Sequence, residues 1–200
     1  MQPNPRKTSS VRRLGPVEIG PLREAVLRIP EAVWDADNRT KPNRFGALGA
    51  TRHIVFRFVS SFLDWRQSYD RPLWREWQGL LDPVLDAATE PYGYARGSYP
   101  RIMLARMASG GVIHPHRDEN PAAKWPHKIH VPLITNDDVT FYVDEEAYHF
   151  GEGEAVEVNN MAKHAFQNCG STDRIHLIFE YYDLDQPEPD WLEPLVAVQR

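Results

Sequence analysis

From Pro100 onward the chain alternates short apolar runs with turn residues. "RIMLARMA", "GVIHPH", "KIHVPLIT", "VTFYV", "EAVEV" and "RIHLIFEYY" are separated by Gly, Asn, Asp and Pro. Such a series predicts short strands folded into a sandwich or barrel, jelly rolls included. Upstream the period changes. "PLREAVLRIPEAVW" predicts a short helix broken before Pro30. "TRHIVFRFVSS" alternates, so Ile54, Phe56 and Phe58 share one face of a predicted strand. In "RPLWREWQGLLDPVLDAATE", Trp74, Trp77, Leu80, Leu81, Val84 and Leu85 recur at helical spacing, a stripe suited to core packing. The expected class is α+β, mainly β, with N-terminal helices packed on a β-rich half. Residues 1–14 read as a flexible basic tail, residues 15–183 as one domain, and residues 184–200 as a proline-rich C-terminal tail.

Composition narrows the class of protein. A chain of 200 residues, 42% hydrophobic and 26% charged, suits a single globular domain with a sizeable core. The net charge of -5 argues against a surface built to hold nucleic-acid phosphates. The lone cysteine, Cys169, forms no internal disulfide and fits a reducing compartment. The basic N-terminal stretch is followed by no apolar h-region, and "HIVFRFVSSFL" is short for a membrane span and broken by Arg57. These features give the expectation of a cytoplasmic protein with no nucleic-acid or membrane partner.

The candidate chemistry lies in the histidines. Seven of the eight fall between residues 114 and 176, which makes a metal site the first possibility to weigh. In "GGVIHPHRDENP", His114, His116 and Asp118 are each two residues apart, so a strand would point all three the same way. His164 follows much later, and Arg174 ten residues after it. One H-x-D pair and one distant histidine make the ligand set of a 2-His-1-carboxylate facial triad. Three ligands on one face of Fe(II) leave three positions for a cosubstrate and O₂. Other uses of these residues lack their partners. A kinase catalytic loop needs Asn five residues after the Asp, and Ala123 stands there. No H-E-x-x-H or G-x-S-x-G is present.

The chain resembles the aspartyl/asparaginyl β-hydroxylase family of Fe(II)/2-oxoglutarate oxygenases, which includes bacterial free-proline hydroxylases. "IHPHRDEN", "KIHVPLITN", "FGEGEAVEVNNMAKHAFQN" and "STDRIHLIFEYYD" carry the resemblance, which spans roughly residues 45–183. It implies a double-stranded β-helix, the cupin-like jelly roll. It implies His116, Asp118 and His164 as metal ligands and Arg174 as the residue for the distal carboxylate of 2-oxoglutarate, a task suited to a guanidinium fork. Fe(II), 2-oxoglutarate and O₂ are the implied cofactor and cosubstrates. A small molecule or peptide side chain is the implied substrate, hydroxylated with release of succinate and CO₂. His130 is expected near the cosubstrate, and Arg106 is a candidate for a pocket carboxylate. His114 is expected to be structural or to support the ligands, His176 to serve structural packing, and Asn168 to fix a turn. Two other readings stand beside this one. The first is a cupin-type metalloenzyme that uses His114, His116 and His164 without 2-oxoglutarate. The second is a β-barrel binding module with no catalysis.

Overall fold

The computed structural model describes residue 7, residues 9–46 and residues 49–186. Its strands are β1 (Val11–Pro16), β2 (Thr51–Val59), β3 (Ser68–Asp70), β4 (Gly97–Ser98), β5 (Ile102–Met107) and β6 (Val112–His116), then β7 (His127–Ile134), β8 (Val139–Val143), β9 (Glu146–Tyr148), β10 (Glu154–Val158), β11 (His164–Asn168) and β12 (Arg174–Asp183). Helices α1 (Gly20–Leu27), α2 (Glu31–Thr40) and α3 (Trp74–Thr89) belong to the N-terminal half, and a one-turn helix, α4 (Pro121–Lys124), follows β6. The strands pair antiparallel in two sheets. The larger runs β1-β10-β7-β12-β5-β2-β3, with β4 also against β12, and the smaller runs β6-β11-β8-β9. This is the predicted jelly roll.

Each central strand of the large sheet is buried on both sides, and its two sides differ in character. Along β12, Ile175, Leu177, Phe179 and Tyr181 pack beneath the helices with Leu22, Trp34, Leu81 and Leu85. The alternate residues Arg174, Ile178 and Glu180 line an internal cavity. Strands β5 and β7 repeat the rule: Leu104, Ile129, Val131 and Leu133 face the helices, while Met103, Ala105, Lys128 and His130 face the cavity. Between the sheets, Ile113, Phe141, Val143, Phe150 and Phe166 form a second apolar cluster.

Three features depart from the sequence reading. Residues 11–14, placed in the N-terminal tail, instead open a strand, Val11–Pro16, registered on β10 with Val11 opposite Val158 and Pro16 opposite Glu154. Its outward residues are mostly exposed, so backbone pairing rather than apolar alternation holds it. The helix expected to stop before Pro30 is followed directly by a second, α2, which buries only Trp34. Phe58 leaves the Ile54–Phe56 face: a bulge in β2 between Val55 and Arg57 reverses the alternation and turns Phe58 toward the cavity. Of the proposed C-terminal tail, residues 187–200 lie outside the described residues. Its start is fastened by the Leu184 N–H to the Arg96 carbonyl at 2.8 Å and by an Arg96–Asp185 ion pair at 2.8 Å.

Candidate active site

His116 and His164 sit on adjacent strands and face each other in the β6–β11 register. Their ring centroids are 4.2 Å apart. Asp118 lies just past the end of β6, in a loop rather than on the strand, and its backbone N–H donates to the Asn160 carbonyl at 2.9 Å. The turn brings its carboxylate back to the histidines. One ligand atom from each of His116, Asp118 and His164 lies within 4.8 Å of the others. Donors about 2.1 Å from a shared ion and on one face of it stand about 3 Å apart, so closing on a metal draws them together by up to about 2 Å.

Hydrogen bonding prepares these groups as ligands. The Nδ1 of His116 bonds the His114 carbonyl at 2.9 Å, and the Nδ1 of His164 bonds the Ala162 carbonyl at 3.0 Å. A carbonyl only accepts, so each Nδ1 carries a proton, and the neutral tautomer this selects is the one with its lone pair on Nε2. Burial pushes His164 down to about 4, which leaves it neutral at pH 7. Burial pushes the Asp118 carboxyl up, but the charge and hydrogen bond of Lys128, with His164 and an Asn160 hydrogen bond, together pull it further down. The result is a carboxylate held well below the usual range. Lys128 Nζ donates to Asp118 Oδ2 at 2.5 Å and Asn160 Nδ2 to the same oxygen at 3.2 Å. Both contacts fall on Oδ2.

The triad opens into a cavity of about 500 Å³ that is also lined by Arg174, His130, Lys128, Thr51 and His53. Arg174 is 1% exposed, and its guanidinium lies 5.8 Å from the ring centroids of both Phe141 and Phe166. Among the described residues its one hydrogen bond is long, 3.4 Å to the Ala105 carbonyl, and Nε has no partner. No carboxylate pairs with it among the described residues. Burial lowers its pKa to about 10, so it stays cationic at neutral pH. A dry cation facing a cavity without a counterion calls for an anionic ligand.

The remaining sequence candidates divide. His130 lines the cavity as expected, with Nδ1 unpartnered. His176 is buried, stacked 5.5 Å from Phe141, and serves packing. His114 is exposed and outside the cluster. Asn168 fixes the turn after β11, its Nδ2 donating to the carbonyls of Ala108 at 3.2 Å and Thr172 at 2.8 Å. Arg106 is a correction. It neighbours Ala105 on β5, so alternation sends it to the helix side, where it pairs with Glu31 and with Asp173 at 2.6 Å and covers Trp34. Arg106→Ala is therefore expected to leave 2-oxoglutarate binding at the wild-type level in a titration and to lower the melting temperature by only a few degrees.

Lys128 and His53 were missed. Alternation from His130 would have placed Lys128 on the cavity face. His53 carried no signal, because its surroundings come from Lys41, whose Nζ is 2.9 Å from His53 Nδ1. Burial is the largest cause that pushes His53 down to about 3, and it holds His130 and His176 well below 6.5. All three are neutral in the folded state. Above pH 6.5 the unfolded chain is neutral at these sites too, and they contribute nothing. As pH falls below 6.5 only the unfolded chain takes up protons, so stability falls by about 2 kcal/mol per histidine at pH 5. The urea midpoint of the metal-free protein should drop steadily from pH 6.5 to 5. A flat midpoint across that window would contradict the burial of these rings.

Residues 89–183 match the aspartyl/asparaginyl β-hydroxylase family. No curated protein sequence matches the chain. Solved structures agree on the fold. HygX from Streptomyces hygroscopicus, with nickel and 2-oxoglutarate bound, superposes with a TM-score of 0.54 at 13% identity, over 91% of this chain and 86% of that one. The collagen prolyl hydroxylase of Paramecium bursaria Chlorella virus-1, a 2-oxoglutarate complex, gives 0.51 at 9% identity over 91% and 100%. A 2OG-Fe(II) oxygenase family protein from Burkholderia pseudomallei gives 0.52 at 13% identity, over 66% of this chain but only 65% of that one. All three likenesses establish the jelly roll. No helix among the described residues is long and apolar enough to cross a membrane.

Proposed function

We propose that this protein is an Fe(II)/2-oxoglutarate-dependent dioxygenase that hydroxylates an unactivated C–H bond of an amino acid, a peptide side chain or a related small molecule. The observation that carries the reading is Arg174, a buried cation without a counterion in the cavity that holds the His116–Asp118–His164 cluster. In this reading His116, Asp118 and His164 hold the iron, and the donor set, two neutral imidazoles and one carboxylate, suits Fe(II). Bound there with 2-oxoglutarate and O₂, the iron supplies a two-electron oxidation of the substrate C–H bond, and the cosubstrate leaves as succinate and CO₂. Arg174 binds the far carboxylate of the cosubstrate as a fork. Lys128, beside the cluster, is paired with Asp118 rather than offered to the cosubstrate. His130, neutral and buried, contributes polarity without charge. Phe58, Met103 and Ile178 supply apolar wall that keeps water from the reacting centre. A cavity of about 500 Å³ is the size of a small-molecule site and admits a side chain rather than a folded domain.

The alternative built on His114 lacks support, since that side chain is exposed and the ligand cluster is complete without it. Convergence of three ligand atoms likewise argues against a binding module with no catalysis. The test is anaerobic addition of Fe(II) and then 2-oxoglutarate. A visible charge-transfer band that needs both additions is expected, and release of succinate on admitting O₂ should follow. Iron binding with no spectral response to 2-oxoglutarate would reject the reading.

A further inference from the structure

The N-terminal segment delivers a lysine into the interior. Lys7 is 9% exposed, and its Nζ donates to Asn160 Oδ1 and, at 3.4 Å, to the Ala123 carbonyl. Asn159 bonds both Lys7 and Ser10: its Nδ2 donates to the Lys7 carbonyl at 3.2 Å and its N–H to the Ser10 carbonyl at 3.0 Å. Asn160 is 0% exposed and joins this segment to the metal carboxylate. Its Nδ2 donates to Asp118 Oδ2 at 3.2 Å and to the Ala123 carbonyl at 2.9 Å, and its own carbonyl accepts the Asp118 N–H. A buried amide holds one orientation firmly only when both ends are satisfied. The acceptors Asp118 and Ala123 take the nitrogen end. Among the described residues only Lys7 donates to the oxygen end.

We propose that Lys7 is a positioning residue for the metal carboxylate: by completing the hydrogen bonds of Asn160 it holds that amide against Asp118 Oδ2, so that Oδ1 is the oxygen presented to the metal. The inference rests on the metal reading above. Without a donor at Oδ1 the amide keeps a buried, unpaired acceptor, and it relieves this by moving off Asp118. Outer-shell partners of this kind change metal affinity by about 10- to 100-fold. The role requires a donor at position 7 and not a charge.

The test is a Ni(II) titration of the full-length protein together with the visible d–d spectrum of the Co(II)-loaded form, which reports the carboxylate's place in the ligand field. Lys7→Met is expected to weaken Ni(II) by about 10- to 100-fold and to shift the Co(II) bands. Lys7→Gln, which keeps a donor without the charge, should stay near wild type in both. Wild-type affinity and spectrum in Lys7→Met would overturn the proposal, as would a Lys7→Gln that loses as much as Lys7→Met. Should Lys7→Met fail to fold, Asn160→Ala carries the test: the same loss and band shift are expected, and wild-type values overturn it. A His164→Ala variant that binds Ni(II) like wild type would overturn the metal reading and this inference with it, whereas loss in His164→Ala beside an unchanged Lys7→Met overturns this inference alone.

Discussion

Arg174→Met should weaken 2-oxoglutarate binding by roughly 30-fold or more while leaving the metal-free protein at least as stable as wild type. The two halves of this expectation have one cause. A guanidinium that is 1% exposed, with one 3.4 Å hydrogen bond and an unpartnered Nε, has lost its hydration and gained little in return. Desolvating an unpaired ion costs several kcal/mol, and methionine fills much of the same volume between Phe141 and Phe166 without that penalty. On the proposed reading, the cosubstrate's carboxylate is what repays the burial. Truncating one partner of a buried charge pair costs about 2–5 kcal/mol, so affinity should fall by roughly 30-fold or more. Calorimetric titration of the nickel-loaded protein measures the first half and urea unfolding of the metal-free protein the second. Retained 2-oxoglutarate affinity would remove Arg174 from the cosubstrate site. A variant much less stable than wild type would mean that the arginine is part of the scaffold instead.

The same arginine shows where the sequence was legible and where it was not. The strand "RIHLIFEYY" could be found from its apolar alternation, but alternation alone reads Ile175, Leu177 and Phe179 as inward and Arg174, His176 and Glu180 as solvent-facing. The helices reverse this. They cover the apolar side, and the side with the charges faces the cavity. Only the resemblance carried Arg174 into the site. Arg106 failed for the complementary reason: next to Ala105, its side of β5 belongs to the helices, and nothing in "RIMLARMA" says which side is covered. His116 and His164 do come together beside Asp118, a grouping that H-x-D and a distant histidine suggest without depending on which face is which.

Elements held by backbone or by single contacts were the least legible. Strand β1 exists because its main chain pairs with β10, a partner some 140 residues away that leaves no mark in "VRRLGP". Helix α2 anchors through Trp34 and through Asp37, which accepts from the Val55 N–H at 2.7 Å and pairs with Arg71 at 2.9 Å. Polar contacts of that kind carry no period. Lys7 and Asn160 belong to the same class, since neither lies in a patterned segment and each acquires its role from the packing around Asp118.

Asp118→Ala should be the most damaging single change at the cluster, because on the proposed reading it removes a metal ligand and it unbalances the metal-free protein as well. The carboxylate is the counterion of Lys128, with side chains only 14% and 22% exposed. Removing it leaves a largely buried ammonium with its charge uncompensated, and breaking such pairs destabilises by roughly 2–4 kcal/mol after allowance for partial exposure. Nickel affinity should fall by more than the roughly 100-fold typical of outer-shell losses, because a ligand itself is gone. His164→Ala should lose nickel to a similar degree without stranding a charge. Adding Lys128→Met to Asp118→Ala separates the effects. The double variant should regain most of the lost stability, since no unpaired ammonium remains, yet bind nickel no better than Asp118→Ala. Thermal or urea unfolding gives the coupling as a double-mutant cycle, and a titration gives the metal affinity. If the double variant were no more stable than Asp118→Ala, the ion pair would not be what holds this part of the fold. If Asp118→Ala kept wild-type nickel affinity, the carboxylate would be no ligand, and Lys128 alone would explain why it is ionised.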